Sequence, residues 1–242
     1  IVEVRQGVGG DEAALWAGDI AVMLQRYAER RGFKWEELEV SGNEGGGIKQ
    51  GTFAVKGDGA YSVFKYEGGT HRVQRVPATE SQGRIHTSTA TVAVMPEAED
   101  VDVQIDEKDL KIDVFRSSGP GGQSVNTTDS AVRITHQPTG IVVAMQDERS
   151  RLQNQEKAMR VLRARIFEAE RERVQAQQAA ARLAQVGTGA RAEKIRTYNF
   201  PQDRVTDHRI GVDARLQDVL AGDLDRFTEA LTTEERRRSL GE

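Results

Sequence analysis

The chain has 242 residues with no cysteine, and its 34 Lys and Arg against 38 Asp and Glu give a formal charge of −4. That length suits one or two domains with real cores. The lack of cysteine excludes disulfides and thiolate catalysis and agrees with a reducing, cytoplasmic setting, and no apolar run approaches the ~18–20 residues that span a membrane. The negative charge argues against a generic nucleic-acid binder, yet it is unevenly spread. Residues 115–215 carry 17 Lys and Arg against 11 Asp and Glu, a net +6 that leaves −10 for the remainder. This describes a basic arm on an acidic body, and nucleic acid or plain solvation accounts for such an arm equally well.

The chain opens in an apparent strand, IVEVRQ, with no signal pattern. Gly7-Val8-Gly9-Gly10 follows, then Asp11 and Glu12, which suit the first turn of a helix. Trp16, Ile20, Met23, Leu24 and Tyr27 recur at helical spacing and predict one apolar face. The glycine run reads as a tight strand-to-helix connection or as a ligand site. Strands are expected at 35–40, 48–55, 61–65 and 71–76, each bounded by glycine-containing turns. They predict a mostly antiparallel, acidic sheet with one helix across it.

Residues His71 to Val94, HRVQRVPATESQGRIHTSTATVAV, form the first informative stretch. Pro77 ends a strand, and Thr79 to Gly83 has the composition of an exposed loop. Around it stand Gln74, Thr79, His86 and Thr87, side chains suited to reading unstacked bases: an amide that donates and accepts, adaptable hydroxyls, and an imidazole that stacks. Arg72, Arg75 and Arg84 are candidates for phosphate contacts. Each of these residues alone is also at home in a structural hairpin. His71 and His86 have no partners at metal-ligand spacing, so no metal is expected.

Past Pro96 comes an acidic turn and a domain boundary. Strands are predicted at 101–105, 111–115, 131–135 and 141–145, the last two joined by the turn Pro138-Thr139-Gly140. Between the second and third lies FRSSGPGGQSVN, Phe115 to Asn126. Gly119, Gly121 and Gly122 let a backbone approach another molecule with no Cβ in the way, and Pro120 limits slack. No His, Cys, Asp or Glu lies between Arg116 and Thr128, and a glutamine amide is no base, so Gln123 cannot be part of a nucleophile–base pair. Positioning and electrostatic stabilisation remain, with the Gln123 N–H toward a developing negative charge. By spacing alone, a bare Gly-Pro-Gly-Gly tip is more often a simple hairpin loop. A long helix is expected from about 150 to 185, with Met159, Leu162, Ile166 and Ala169 on a packing face and an Ala/Gln/Arg-rich second half that is solvated or lies along RNA. Gly187-Thr188-Gly189 ends it. Arg196 to Arg209, RTYNFPQDRVTDHR, reads as a strand with Tyr198 and Phe200 buried, and the tail from Arg215 as two short helices.

Ser118 to Val143, SGPGGQSVNTTDSAVRITHQPTGIVV, closely resembles the Gly-Gly-Gln region of bacterial class I peptide chain release factors. The segment 71–94 resembles the recognition loop of the type reading UAA and UAG, whose Pro-x-Thr tripeptide falls on Pro77-Ala78-Thr79, and 196–209 matches a third characteristic segment. The resemblance implies that Gly121, Gly122 and Gln123 promote peptidyl-tRNA ester hydrolysis in the peptidyl transferase centre, with Gln123 the N5-methylation site of a glutamine methyltransferase. Ser124 stands where many members have histidine. It further implies that Gly9 and Glu12 approach the first base of the stop codon, Thr79 the first two, and His86 the second by stacking. Gln74 and Thr87 would read the third. The family's N-terminal helical domain would be missing from this chain.

The implied fold is α+β. A discontinuous mixed α/β codon-recognition superdomain (1–97 with 186–242) joins a Gly-Gly-Gln domain (98–185) made of a four-stranded sheet and a long helix. The implied partners are the ribosome, with its RNA, the A-site stop codon and the P-site peptidyl-tRNA, together with a GTP-binding class II release factor. No cofactor, metal or membrane is expected, and activity would require the ribosome. A codon-independent rescue hydrolase is the competing reading, disfavoured by Pro77-Ala78-Thr79. A free-standing esterase is disfavoured because no triad or metal site is assembled.

Overall fold

The computed structural model describes residues 1–78, 80–97, 102–116 and 129–241. The protein divides into two compact units, Ile1–Glu97 with Gln178–Glu242, and Ala98–Gln177.

The first unit contains β1 (Val2–Gln6), α1 (Asp11–Arg30), β2 (Lys34–Gly42), β3 (Ile48–Lys56), α2 (Ala60–Phe64), β4 (Gly69–Arg75) and β5 (His86–Val94). The second contributes β6 (Leu110–Phe115), β7 (Ala131–His136), β8 (Ile141–Met145) and most of α3 (Arg151–Val186). The chain then returns to the first unit through β9 (Lys194–Asn199), β10 (Arg204–Asp207), β11 (Val212–Arg215), α4 (Leu216–Leu220) and α5 (Asp225–Ser239).

Eight strands of the first unit pair in the order β11-β10-β9-β4-β5-β1-β3-β2. Every pairing is antiparallel except that of β4 with β9, which joins sequence before the second unit to sequence after it. The helix α1 lies on one face of this sheet because its apolar residues repeat every three or four positions. Trp16, Ile20, Met23, Leu24 and Tyr27 are all at most 1% exposed, and each contributes about 1.5–3 kcal/mol by leaving water. Trp16 also donates its indole N–H to the His71 carbonyl at 3.0 Å, tying α1 to β4.

Beneath this core lies a buried polar cluster. The fully buried Arg196 pairs with both Glu67 oxygens, one of them at 2.8 Å, and with Asp207 Oδ2 at 2.9 Å. Its guanidinium lies 4.6 Å from the centre of the Phe227 ring. His71 spans the Tyr198 hydroxyl (2.7 Å) and the Glu67 carbonyl (2.8 Å). Arg209 binds Asp207 again, at 2.8 and 3.1 Å. Burial alone would raise the Glu67 carboxyl, but the Arg196 charge more than reverses this and holds it below the usual range.

Two expected strands take other forms. Residues 61–65 fall in α2 and the 3-10 turn that follows, because Ala60, Val63 and Phe64 are the buried positions, at helical rather than alternating spacing. In the second unit the segment 102–106 forms no ladder, so among the described residues the sheet has three strands, β6-β7-β8. Val103 and Ile105 nevertheless pack on its core of Val132, Ile134, Val143, Ala158, Leu162 and Ile166. Ala169, expected on the packing face of α3, is exposed. The end of α3, expected to be solvated, is anchored in the first unit. Arg182 makes a bidentate pair with Glu3 (2.5 and 2.8 Å), and the Gln185 amide both donates to and accepts from the Val94 backbone (2.9 and 2.7 Å). The first compact unit resumes at Gln178, within α3.

Replacing Arg196 by Met leaves two buried carboxylates without their cation, and the expected loss of stability is about 3–5 kcal/mol. Urea denaturation followed by tryptophan fluorescence measures it; a loss below about 1 kcal/mol would refute the assigned role. The same cluster makes stability pH-dependent. Burial pushes His71 down to about 4, so the unfolded chain binds the extra proton first. Stability is then complete above about pH 6.5 and falls by up to roughly 3 kcal/mol as pH drops to 4. A flat melting temperature across that window would contradict the burial of His71.

Candidate nucleic-acid interface

The loop between β1 and α1 is built against β5. Gly7 N–H donates to the Thr89 carbonyl (2.7 Å), Val8 N–H to the Thr89 hydroxyl (2.8 Å), and Thr89 N–H to the Val8 carbonyl (2.9 Å). The Thr89 hydroxyl in turn donates to the Gly189 carbonyl at 2.8 Å. Gly9 has φ +132°, and a Cβ there would lie 2.6 Å from the Ser88 hydroxyl oxygen, so only glycine fits this approach. The loop thereby delivers the start of α1, which has no side-chain cap, to the edge of β5.

Gly9, Glu12, His86, Thr87, Ser88 and Arg191 line one cavity of about 430 Å³. Glu12 also borders a second, of about 560 Å³, with Leu15, Arg75, Val76, Ala78, Phe200 and Pro201. Glu12 Oε1 is buried and has no hydrogen-bond partner among the described residues. A carboxylate oxygen of this kind can only accept, while the uncapped first turn of α1 can only donate. The cavity edge thus offers a donor and an acceptor side by side, which suits the edge of a base.

Behind this edge, Gln74 and Thr87 are partners in the β4–β5 register. The Gln74 carbonyl accepts from Phe200 N–H at 3.0 Å, and its side chain receives the Asn199 amide at 3.4 Å. Arg191 donates to the Thr87 carbonyl at 3.0 Å. The loop from 80 to 86 is organised by Glu80, whose side chain is 5% exposed. It accepts from Gln82 N–H (2.9 Å) and Arg84 (3.3 Å) and contacts His86 Nε2 at 2.9 Å. The Gln82 hydrogen bond, and then Arg84 and His86, hold Glu80 below the usual carboxylate range.

Of the residues singled out by sequence, Gly9, Glu12, His86 and Thr87 share one cavity, and Ala78 shares the next with Glu12. Gln74 stands beside Thr87, and Pro77 is buried. Thr79 and the residues Gly121, Gly122 and Gln123 lie outside the described residues. Among the arginines, Arg75 is a clamp rather than a free cation: it pairs with Asp19 at 2.7 Å between the rings of Trp16 and Phe200. Arg84 is engaged by Glu80. Among the described residues no cluster of His, Asp and Glu suits a metal ion.

In the second unit, Phe115 and Ala131 are register partners at the ends of β6 and β7, and Arg116 pairs with Asp129 at 3.3 Å. The fully buried Asn154 braces this end. Its amide donates to the carbonyls of Ser130 (2.6 Å) and Glu148 (2.9 Å), and its oxygen accepts from Glu148 N–H (3.0 Å). Sequence reasoning missed Asn154, Glu80 and Arg191. The signal for Asn154 was present, a polar residue in the 154-158-162-166 stripe of α3. Glu80 could have been suspected from Gln82, Arg84 and His86 at every second position after it. Arg191 had no signal.

The RF-1 domain model matches residues 99–209 and the PCRF domain model residues 1–92. The chain is 63% identical over 237 residues to peptide chain release factor 1 of Rubrobacter xylanophilus, covering 98% of this chain and 65% of that protein. For the protein of the same name in Desulforudis audaxviator the identity is 59% over 241 residues, covering 99% and 68%. Among solved structures, RF2 of Thermus thermophilus matches with a TM-score of 0.57 at 40% identity, covering 95% of this chain and 66% of that one. The chain therefore spans about two thirds of the length of these relatives.

Replacing Asn154 by Leu leaves the Ser130 carbonyl and both Glu148 backbone groups unpaired, at an expected cost on the order of 3 kcal/mol. Amide exchange at Glu148 is the specific check; unchanged protection would mean that the brace is not needed.

Proposed function

The chain belongs to the peptide chain release factor 1 family, and from that premise we propose that it terminates translation as a class I factor, reading UAA and UAG in the ribosomal A site and promoting hydrolysis of the peptidyl-tRNA ester. The observation that carries this reading is the convergence of Gly9, Glu12, His86 and Thr87 on one cavity with an unpartnered buried acceptor at its edge. The first base would place a donor on Glu12 Oε1 and an acceptor on the free N–H groups of α1. His86, oriented by Glu80, would stack on the second base, with Thr79 reaching the first two. Gln74 and Thr87 would take the third. Pro77-Ala78-Thr79 supports UAA and UAG over UGA.

The chemistry is assigned to Gly121, Gly122 and Gln123. Two glycines allow close approach to the ester, and the Gln123 N–H would meet the charge developing on the carbonyl oxygen. Because no local base exists, water activation would come from the ribosomal site, and the protein alone would not hydrolyse esters. Residues 98–185 form the proposed hydrolysis domain, and 1–97 with 186–242 the codon-reading one. A methyltransferase acting on Gln123 and a GTP-binding class II factor complete the proposed partners, in the cytoplasm.

The test is peptide release from ribosomes programmed with UAA, UAG, UGA and a sense codon. Release is expected at the first two alone; equal activity at UGA would overturn the codon assignment. Gly122→Ala should lower release more than about a hundredfold with ribosome binding nearly intact. Gln123→Ala should be milder, because its N–H survives, and Gln123→Pro the most severe.

A further inference from the structure

On the face of the sheet turned away from α1, β4 presents Thr70, Arg72 and Gln74, and β9 presents Thr197 and Asn199 as register partners of Arg72 and Gln74. Arg72 Nε donates to the Thr197 hydroxyl at 3.2 Å, and that hydroxyl lies 2.6 Å from His208 Nε2. With one proton and two lone pairs, the Thr197 hydroxyl accepts from Arg72 and also hydrogen-bonds His208 Nε2, which ties the two side chains together. Lys194 enters from the start of β9, as the register partner of Thr70. No carboxylate pairs with Arg72, Lys194 or His208 among the described residues. The nearest acids are engaged: Asp213 by Thr206 (2.7 Å), and Asp207 by Arg196 and Arg209 on the opposite face.

We propose that Arg72, Lys194 and His208 form a phosphate-binding cluster that holds the message backbone on the 3′ side of the codon. This rests on the codon-reading assignment above, because the direction follows from it. The first base is assigned to the end of β1 and α1, and the third to Gln74 and Thr87 on β4 and β5. Across the sheet the next strands beyond β4 are β9 and then β10, each about 4.8 Å further on. A strand of RNA continuing in the same sense passes Asn199, the register partner of Gln74, with Arg72 and Thr197 two residues further along the same two strands. The cluster has what a phosphate needs and a protein carboxylate would otherwise take: guanidinium and ammonium donors beside an imidazole and a fixed hydroxyl. Partial burial lowers Arg72, and His208 is lowered by burial and then by the charges of Lys194 and Arg72, with Asp207 and Asp213 acting in the opposite sense. An arriving phosphate would add a negative charge beside these cations.

The test uses the full chain and ribosomes programmed with two messages. One has an ordinary phosphodiester after the third nucleotide of UAA; the other has an uncharged methylphosphonate at that single linkage. Apparent affinity from the concentration dependence of release is expected to fall roughly tenfold on the neutral linkage. Arg72→Gln and Lys194→Gln should lose a similar amount on the ordinary message and nothing more on the neutral one. Lys194 holds no strand partner through its side chain, so its variant remains informative if Arg72→Gln fails to fold. A wild-type protein indifferent to the linkage would overturn the proposal. So would variants that lose equally on both messages, which would put the contact on ribosomal RNA. Release that does not depend on a stop codon would instead overturn the codon-reading assignment, and this proposal with it.

Discussion

Arg196 is the point at which the two halves of the first unit become one. Its planar fork meets Glu67, which precedes β4, and Asp207, at the end of β10, while Phe227 of α5 covers its face. All three charged side chains are fully buried. Taking such groups out of water is costly, and their attraction recovers that cost only with good geometry. The cluster is therefore better understood as a specifier than as a source of stability. A shift of β9 along β4 would strand a guanidinium and two carboxylates in a dry interior, whereas the observed register satisfies every one of them.

The reading edge inherits its geometry from that register. With Arg196 opposite His71, Thr197 falls opposite Arg72 and Asn199 opposite Gln74. Phe200 then reaches the rings and cation of Trp16 and Arg75. Trp16 holds the His71 carbonyl, so α1 is fixed to the same strand. The N-terminus of α1 is set against β5 by the Thr89 hydrogen bonds, and Thr89 also fastens the return of the chain at Gly189. One buried cluster thus positions groups more than a hundred residues apart in sequence along a single edge.

How far this was legible in the sequence follows the physics of each signal. The face of α1 was plain because five large apolar residues keep a 3.6-residue period over about three turns. Strands β2, β3, β4, β6, β7 and β8 were marked by glycine and turn punctuation, whereas β5, buried along most of its length, was not singled out. Ala60 to Phe64 was misread because Tyr, Val and Phe favour strand locally, and only the packing of Ala60, Val63 and Phe64 decides for a turn of helix. Val103 and Ile105 kept the alternation of a strand, since side-chain packing needs no ladder. The anchoring of Arg182 and Gln185 was invisible because both residues read as solvated, and their partners, Glu3 and Val94, lie about ninety residues away or more. Among site residues, His86 and Thr87 were suggested by residue type around the exposed loop, whereas the roles of Gly9 and Glu12 were reached through resemblance to a family. Asn154 acts through three backbone groups and Glu80 through one N–H and two side chains, and each left only the faint spacing signal of a polar residue in an apolar stripe or of polar residues at every second position.

The unfinished hydrogen bonds at the reading edge carry the argument about selectivity. Glu12 Oε1 is buried without a partner, and the first turn of α1 lacks a cap, in a protein whose other buried polar groups are almost all satisfied among the described residues. An unpaired buried acceptor costs about 1–3 kcal/mol, a strain that the rest of the unit is stable enough to hold. A ligand that brings a donor to Glu12 and an acceptor to the helix start relieves it. A ligand with the opposite pattern excludes water from both groups and leaves them unpaired, which costs more than the empty site. Discrimination by such groups exceeds what shape alone provides, because a wrong partner loses a hydrogen bond and also desolvates its counterpart. The free cations at Arg72 and Lys194 differ in kind. They stay partly hydrated when vacant and would add affinity with no preference among bases, so in the proposed function the groups that select and the groups that hold would be separate.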